Sequence, residues 1–221
     1  MIHQFEKNGK ILNYQIQRKR IKNTYFRVRD QHLLITTNHF TSKETIMNYI
    51  DQKFDHFHRK LESACIIERD DEIMLWDIHY QLIVLKGKFR YDIDIDRVIV
   101  YSNLDDIKKI KQLIYKNELN NRLQIMESSI EEKLRNHGLT PLDYKLKYLK
   151  SKFGSYHRKH REITLNTFLA RLNPIYLTYV IYHEYAHALI FNHSKDFYNL
   201  LSKFMPNHKV YQKDLRKIAI I

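Results

Sequence analysis

Three histidines and one glutamate fall within eleven residues in the stretch YHEYAHALIFNHSKDF, Tyr182 to Phe197. On a helix, His183 and His187 share one face with Cβ atoms about 5–6 Å apart, close enough to hold one Zn²⁺ at Zn–N distances of about 2.0–2.1 Å. Glu184 flanks that face. It is badly placed as a third ligand and well placed as a general base that takes a proton from water activated at the metal. Random placement of this chain's histidines and glutamates would give such a run, third histidine included, with a probability of about 0.002. Tyr179, Val180, Ile181, Ala186, Leu189 and Ile190 make the helix apolar nearly all round, so it is buried, and buried histidines need partners.

The third ligand must come from the chain beyond His187. No glutamate occurs after Glu184, which leaves His193, Asp196, His208 and Asp214. His193 lies ten residues after His183, a spacing used by three-histidine sites, but such sites turn at a glycine where this chain has Ile190. Asn192 is expected to supply a left-handed turn instead, so that His193 swings under the metal just before Ser194 caps the next helix. Asp196 reads as a first-turn helix charge or an acceptor for a ligand histidine, and His208 as a surface residue. The single cysteine, Cys65, excludes a cysteine cage, so the expected cofactor is one Zn²⁺ per chain on His183, His187 and His193.

Several elements must position these groups. Asn173-Pro174 starts the histidine helix with a cap and a proline in its first turn. YKLKYLKSKF and REITLN read as two strands of a hairpin joined through Gly154 to His160. Ile163 to Asn166 would be an edge strand able to take an extended peptide, flanked by Lys150, Lys152, Arg158, Lys159 and Arg161. Lys152, Arg158 and Arg161 are the substrate-binding candidates among these. Tyr176, Tyr182 and Tyr211 are candidate oxyanion donors. Upstream, alternation from Ile11 to Thr37 predicts two or three strands with a turn near Asp30-Gln31. FTSKETIMNYIDQKFDHFHRKLESA predicts one helix capped at Thr41 or Ser42, with Ile46, Tyr49, Ile50, Phe54 and Phe57 on its apolar side. Further strands continue through Ser102, then a long helix runs from Lys108 to Arg135 and is ended by His137-Gly138. No internal repeat is visible. A β-rich half, residues 1–105, thus precedes a mostly helical half, residues 106–221.

At 221 residues and 43% hydrophobic content the chain can bury a sizeable core. It shows no leader-like start and no long apolar run, so a cytoplasmic protein without membrane contact is expected. The net charge of +13 favours nucleic acid, nucleotides or acidic proteins as neighbours through a basic surface.

His183-Glu184-Tyr185-Ala186-His187 followed by Asn192-His193-Ser194-Lys195-Asp196-Phe197 resembles the signature of the YgjP-like metal-dependent hydrolases, related to the WLM and SprT-like zinc metallopeptidases. Phe153-Gly154-Ser155, the strand Ile163 to Asn166, Leu169 and Pro174 resemble the same family upstream, and YQIQRKRIKNTYFRVRD resembles its opening. Phe153 stands for the family's tryptophan and Tyr156 for its cysteine. The resemblance implies a zincin-like α+β fold and a zinc hydrolase. The leading expectation is a metallopeptidase acting on a protein or peptide. The alternatives are a metal-dependent nucleoside-triphosphate pyrophosphohydrolase and a noncatalytic nucleic-acid-binding protein, which would leave Glu184 without purpose.

Overall fold

The computed structural model describes residues 2–29, 32–64 and 69–220. It is an α+β protein with a β-rich N-terminal half, as the patterning predicts. Packing groups the chain into two compact units, residues 1–67 with 213–221, and residues 68–212. The sequence division at residue 105 concerns which segments fold alone, and limited proteolysis is its test. Among the described residues no helix is long and apolar enough to cross a membrane.

The first unit is built on β1 (His3–Lys7), β2 (Lys10–Arg18), β3 (Tyr25–Arg29) and β4 (His32–Thr37), ordered β1-β2-β4-β3. β2 and β4 pair in parallel, and the other two pairs are antiparallel. Alternation turns Leu12, Tyr14, Leu33 and Ile35 to one face, where they pack on Ile46, Ile50, Phe54, Phe57 and Leu61. Those residues come from two helices, α1 (Lys43–Gln52) and α2 (Phe54–Ala64), where one was expected. The break falls at Lys53, whose backbone leaves the helical region, and nothing in the local sequence marks it. The Ser42 cap is present, accepting the Thr45 N–H at 3.0 Å. The turn expected at Asp30-Gln31 lies outside the described residues.

The second unit opens with β5 (Glu72–Leu75), β6 (Ile78–Leu85), β7 (Arg90–Ile93) and β8 (Arg97–Tyr101), ordered β5-β6-β8-β7. Its pairing senses repeat those of the first sheet, so the structure contains an internal repeat that the residue pattern does not reveal. The correspondence extends to detail. Each first hairpin closes with two residues at positive φ, Asn8-Gly9 in one sheet and Trp76-Asp77 in the other. Tyr14 opposite Leu33 matches Leu82 opposite Val98 in the parallel pairs. A capped helix comes after each sheet: α3 (Ile107–Arg135) starts where Asp106 accepts the Lys109 N–H at 3.2 Å. Ile110 and Ile114 of α3 take the fully buried places of Ile46 and Ile50. We refer to the two ββββα units as the first and second modules.

The remainder carries the histidines. β9 (Asp143–Lys147), β10 (Gly154–His157) and β11 (Glu162–Asn166) form a sheet ordered β10-β11-β9. This corrects the expected hairpin: YKLK pairs in parallel with β11, and the hairpin partner is the short GSYH segment. Ile163 to Asn166 is therefore the central strand, and β10 is the edge. A short 3₁₀ helix, Thr167–Arg171, leads to α4 (Pro174–Leu189), followed by α5 (Lys195–Phe204) and α6 (His208–Leu215).

Candidate metal centre

α4 begins as the sequence predicts, with the Asn173 side chain accepting the Ile175 N–H at 3.1 Å and proline in the first turn. Its start is also fastened from behind. The Trp76 and Asp77 N–H groups donate to the carbonyls of Ala170 and Arg171 at 2.8 and 3.1 Å, fixing the 3₁₀ helix just before the cap. Tyr185, inside the HExxH run, is a core pillar whose hydroxyl accepts the Leu142 N–H at 2.9 Å.

His183, His187 and His193 come together, each offering one nitrogen within 4.8 Å of the other two. Among the described residues they are the one group of this kind. Nε2 of His193 lies 3.2 Å from Nε2 of His183. Two nitrogens bound tetrahedrally at about 2.0–2.1 Å would sit roughly 3.3–3.4 Å apart, so the pair fits a shared divalent ion. The outward nitrogens are held as metal-ligating imidazoles require. His187 Nδ1 faces the Ile190 carbonyl at 3.2 Å, and His183 Nδ1 faces the Tyr179 hydroxyl at 3.3 Å. A proton on Nδ1 leaves the Nε2 lone pair free. Burial, and then the neighbouring imidazoles, push His183 down to about 3, and burial also lowers His187, so both are neutral near pH 7. The ring of Phe197 lies under all three, with centroid distances of 5.0, 4.6 and 4.8 Å to His183, His187 and His193.

The chain reaches His193 differently from the expected route. Asn192 is not left-handed. The helix ends at Ile190, whose N–H still bonds Ala186 at 2.8 Å while its backbone extends, and the His187 contact with the Ile190 carbonyl takes over the satisfying role of a turn residue. Ser194 then caps α5 as expected, accepting the Phe197 N–H at 3.4 Å.

Glu184 is 6% exposed and turns toward β10, not toward solvent. Its Oε2 accepts the Tyr156 N–H at 2.7 Å. Burial raises its pKa to about 7, against the pull of that N–H and of Lys152. Gly154 makes this approach possible: a Cβ there would stand 2.6 Å from Val180 Cγ1 and 2.8 Å from Glu184 Oε1. The sequence pattern places Gly154 in a hairpin connection and in the family resemblance, Tyr179 on a buried helix face and Phe197 in the signature, and reveals neither their contacts at the site nor the Tyr156 amide. A glycine inside a strand was the available signal for close backbone approach.

The other candidates separate. Lys152 is exposed and within electrostatic reach of Glu184, and the Arg158 guanidinium lies 4.4 Å over the Phe191 ring, two residues before His193. Arg161 sits in the β10–β11 turn at φ 51. Asp196 stays exposed in the first turn of α5, and Asp214 pairs with Lys217 at 2.7 Å. His208 is buried, 1% exposed, stacked on Tyr198 and bonded to Ser202 Oγ at 3.1 Å, which corrects its expected surface place. Tyr182 is also buried, stacked on Phe204, and so is removed from the oxyanion candidates. Tyr176 and Tyr211 cluster with Tyr179 behind His183.

The family model described as YgjP-like, metallopeptidase domain, matches residues 22–218. No curated protein matches the chain. Among solved structures, the metallopeptidase zymogen abylysin of Pyrococcus abyssi is 20% identical, with 46% of this chain and 90% of that chain covered at a TM-score of 0.34. The zymogen of jannalysin from Methanocaldococcus jannaschii is 21% identical, with 46% and 92% covered at a TM-score of 0.32.

Proposed function

The chain belongs to the YgjP-like metallopeptidase family, and from that premise we propose that it is a zinc peptidase in which His183, His187 and His193 hold one Zn²⁺ and Glu184 is the general base. The observation that carries this reading is the convergence of three histidine nitrogens, two of them 3.2 Å apart, one helical residue from a buried carboxyl. Zinc held there would polarise a peptide carbonyl and make water acidic near neutral pH. The Tyr156 N–H engages Glu184 Oε2, so Oε1 takes the proton from water and returns it to the departing amine. A carboxyl with pKa near 7 suits both transfers.

The substrate would add to β10. In an antiparallel ladder backbone groups alternate in direction. Phe153 faces β11, its carbonyl accepting the Asn166 N–H, so Gly154 and Tyr156 face away from that strand. The Gly154 N–H and both carbonyls would pair with an extended peptide. Lys152, Arg158 and Arg161 would bias the flanking positions toward acidic side chains. Family membership favours this over nucleotide hydrolysis.

The test is cleavage of a diverse peptide library by zinc-loaded protein, read by mass spectrometry. Glu184→Gln should keep its zinc and lose about 10²-fold or more in kcat/KM. Unchanged turnover in that variant would contradict the base role. Pyrophosphate release from nucleotides without peptide cleavage would contradict the peptidase reading.

A further inference from the structure

The two modules diverge at one end, where the loop after the second strand meets the loop before the helix. We infer that this end of the first module, residues 18–25 with 38–42, binds single-stranded nucleic acid. The proposal concerns the first module alone and does not depend on the metal centre.

The two loops form one rigid piece. The Arg18 guanidinium Nη1 donates to the carbonyls of Asn38, His39 and Thr41 at 2.9, 3.0 and 3.0 Å. Asn38 Oδ1 accepts the N–H groups of Phe40 and Thr41 at 2.9 and 2.8 Å, and Lys19 N–H donates to the Thr37 carbonyl at 2.8 Å. This frame displays Phe40, whose ring is 97% exposed. A lone exposed apolar ring is ordinary on a protein surface, but this one is held by its frame beside a group of exposed cations. Around it stand Lys19, Arg20 and Lys22, all exposed, and among the described residues none pairs with a carboxylate. Between Lys10 and Lys43 the sequence has Asp30 as its only acid. Beside the loops, Thr24 Oγ1 and Thr37 Oγ1 join at 2.7 Å, and the next residue, Tyr25, is 43% exposed with the Arg27 guanidinium 5.3 Å over its ring.

The second module supplies the contrast. Lys86, in the place of Arg18, is neutralised by Asp105 at 2.5 Å, and Leu104, in the place of Phe40, is 43% exposed. The same fold therefore does not impose the cationic, aromatic tip. Unpaired cations beside a rigid ring match phosphates beside an unstacked base. A paired duplex hides its base faces from such a ring. An anionic membrane would use the cations, but it would call for more apolar area than one phenylalanine among Asn38, His39, Thr41 and Ser42.

Fluorescence anisotropy of the full chain with a labelled single-stranded oligonucleotide, titrated with salt, tests this. Lys19→Ala/Arg20→Ala/Lys22→Ala should weaken binding at least tenfold and lower the log–log salt slope by about 2, near 0.7 per lost phosphate contact. Phe40→Ala should weaken it about fivefold or more with the slope unchanged, because stacking is not ionic. Lys86→Ala/Lys88→Ala should change neither, and thermal melts of all variants should match the wild type, since every altered residue is exposed. The inference is overturned if Phe40→Ala binds like wild type, if duplex of the same sequence binds as tightly as the single strand, or if phosphatidylserine vesicles bind in the same Phe40-dependent way while the oligonucleotide does not.

Discussion

The first and second modules share strand order, pairing senses, hairpin closure and helix capping, yet the second is fastened to the start of the histidine-bearing helix and the first ends in an undisguised cationic tip. The clearest difference lies at the first hairpin turn. Asn8-Gly9 is the pair that positive φ favours. Trp76-Asp77 adopts the same conformation against its own preference, with Trp76 at φ 54. That strain is balanced by bonds that have no counterpart at the first turn among the described residues. Trp76 Nε1 donates to Glu118 at 3.0 Å, Arg122 lies 4.9 Å over the indole, and both turn N–H groups hold the 3₁₀ helix that leads into α4. A turn chosen for its contacts belongs to a structural support, and one chosen for its conformation leaves its module free to diverge elsewhere.

Equivalent core substitutions should separate the two roles. Ile50 and Ile114 are both fully buried at matching helix positions, so alanine at either should cost about 3–4 kcal/mol. Ile114→Ala should lower the unfolding temperature and the zinc retention of the unit containing α4. Ile50→Ala should destabilise the first unit and leave peptide turnover per zinc unchanged. Equal loss of turnover in both variants would break the comparison.

pH should divide the units as well. Among the described residues of the first unit no carboxylate is buried, whereas Glu184 in the second is. Its folded pKa of about 7 lies above the ordinary 4.5, so the folded state holds the proton more tightly. In metal-free protein this contribution is full below pH 4.5 and is lost as pH rises from 4.5 to 7, by up to about 3 kcal/mol. Glu184→Gln should therefore melt higher than wild type at pH 8 and equally at pH 4, as differential scanning calorimetry with chelator would show.

Trp76→Ala should cost about 2 kcal/mol and weaken peptide turnover, because the turn loses its contacts with Glu118 and Arg122 while keeping its strained backbone. Asn8→Ala should cost about 1 kcal/mol with turnover intact. The smallest effect belongs to Phe40→Ala, within about 0.5 kcal/mol of wild type in urea unfolding, since its ring touches almost nothing.

The histidine cluster was legible because its three members lie within one helix and the turn after it, where spacing alone decides which side chains meet. Asn173, Pro174 and Ser194 marked its borders for the same local reason. β10 was not legible. GSYH has no apolar alternation, and its place is set by what Gly154 lacks, a side chain that would strike Glu184. The central position of β11 depends on parallel pairing with β9, a contact across a connection that leaves no local mark. The repeat was hidden because it conserves backbone pairing and capping roles instead of residues. Asn8-Gly9 stands where the second module has Trp76-Asp77, Ser42 where it has Asp106, and only isolated places match, such as Ile46 with Ile110 and Ile50 with Ile114. His208 misled because the Met-Pro-Asn run before it reads as surface, while its stacking on Tyr198 is tertiary.

The claim on which the rest depends is that three histidines of the second unit, and no carboxylate, hold the metal. X-ray absorption at the zinc edge of the loaded full-length protein tests it directly. The expected spectrum has three imidazole nitrogens at about 2.0–2.1 Å and one further light atom, falling to two imidazoles with weakened zinc retention in His193→Ala. A spectrum unchanged in His193→Ala, or one that loses a ligand in Asp196→Ala or Asp214→Ala, would contradict it.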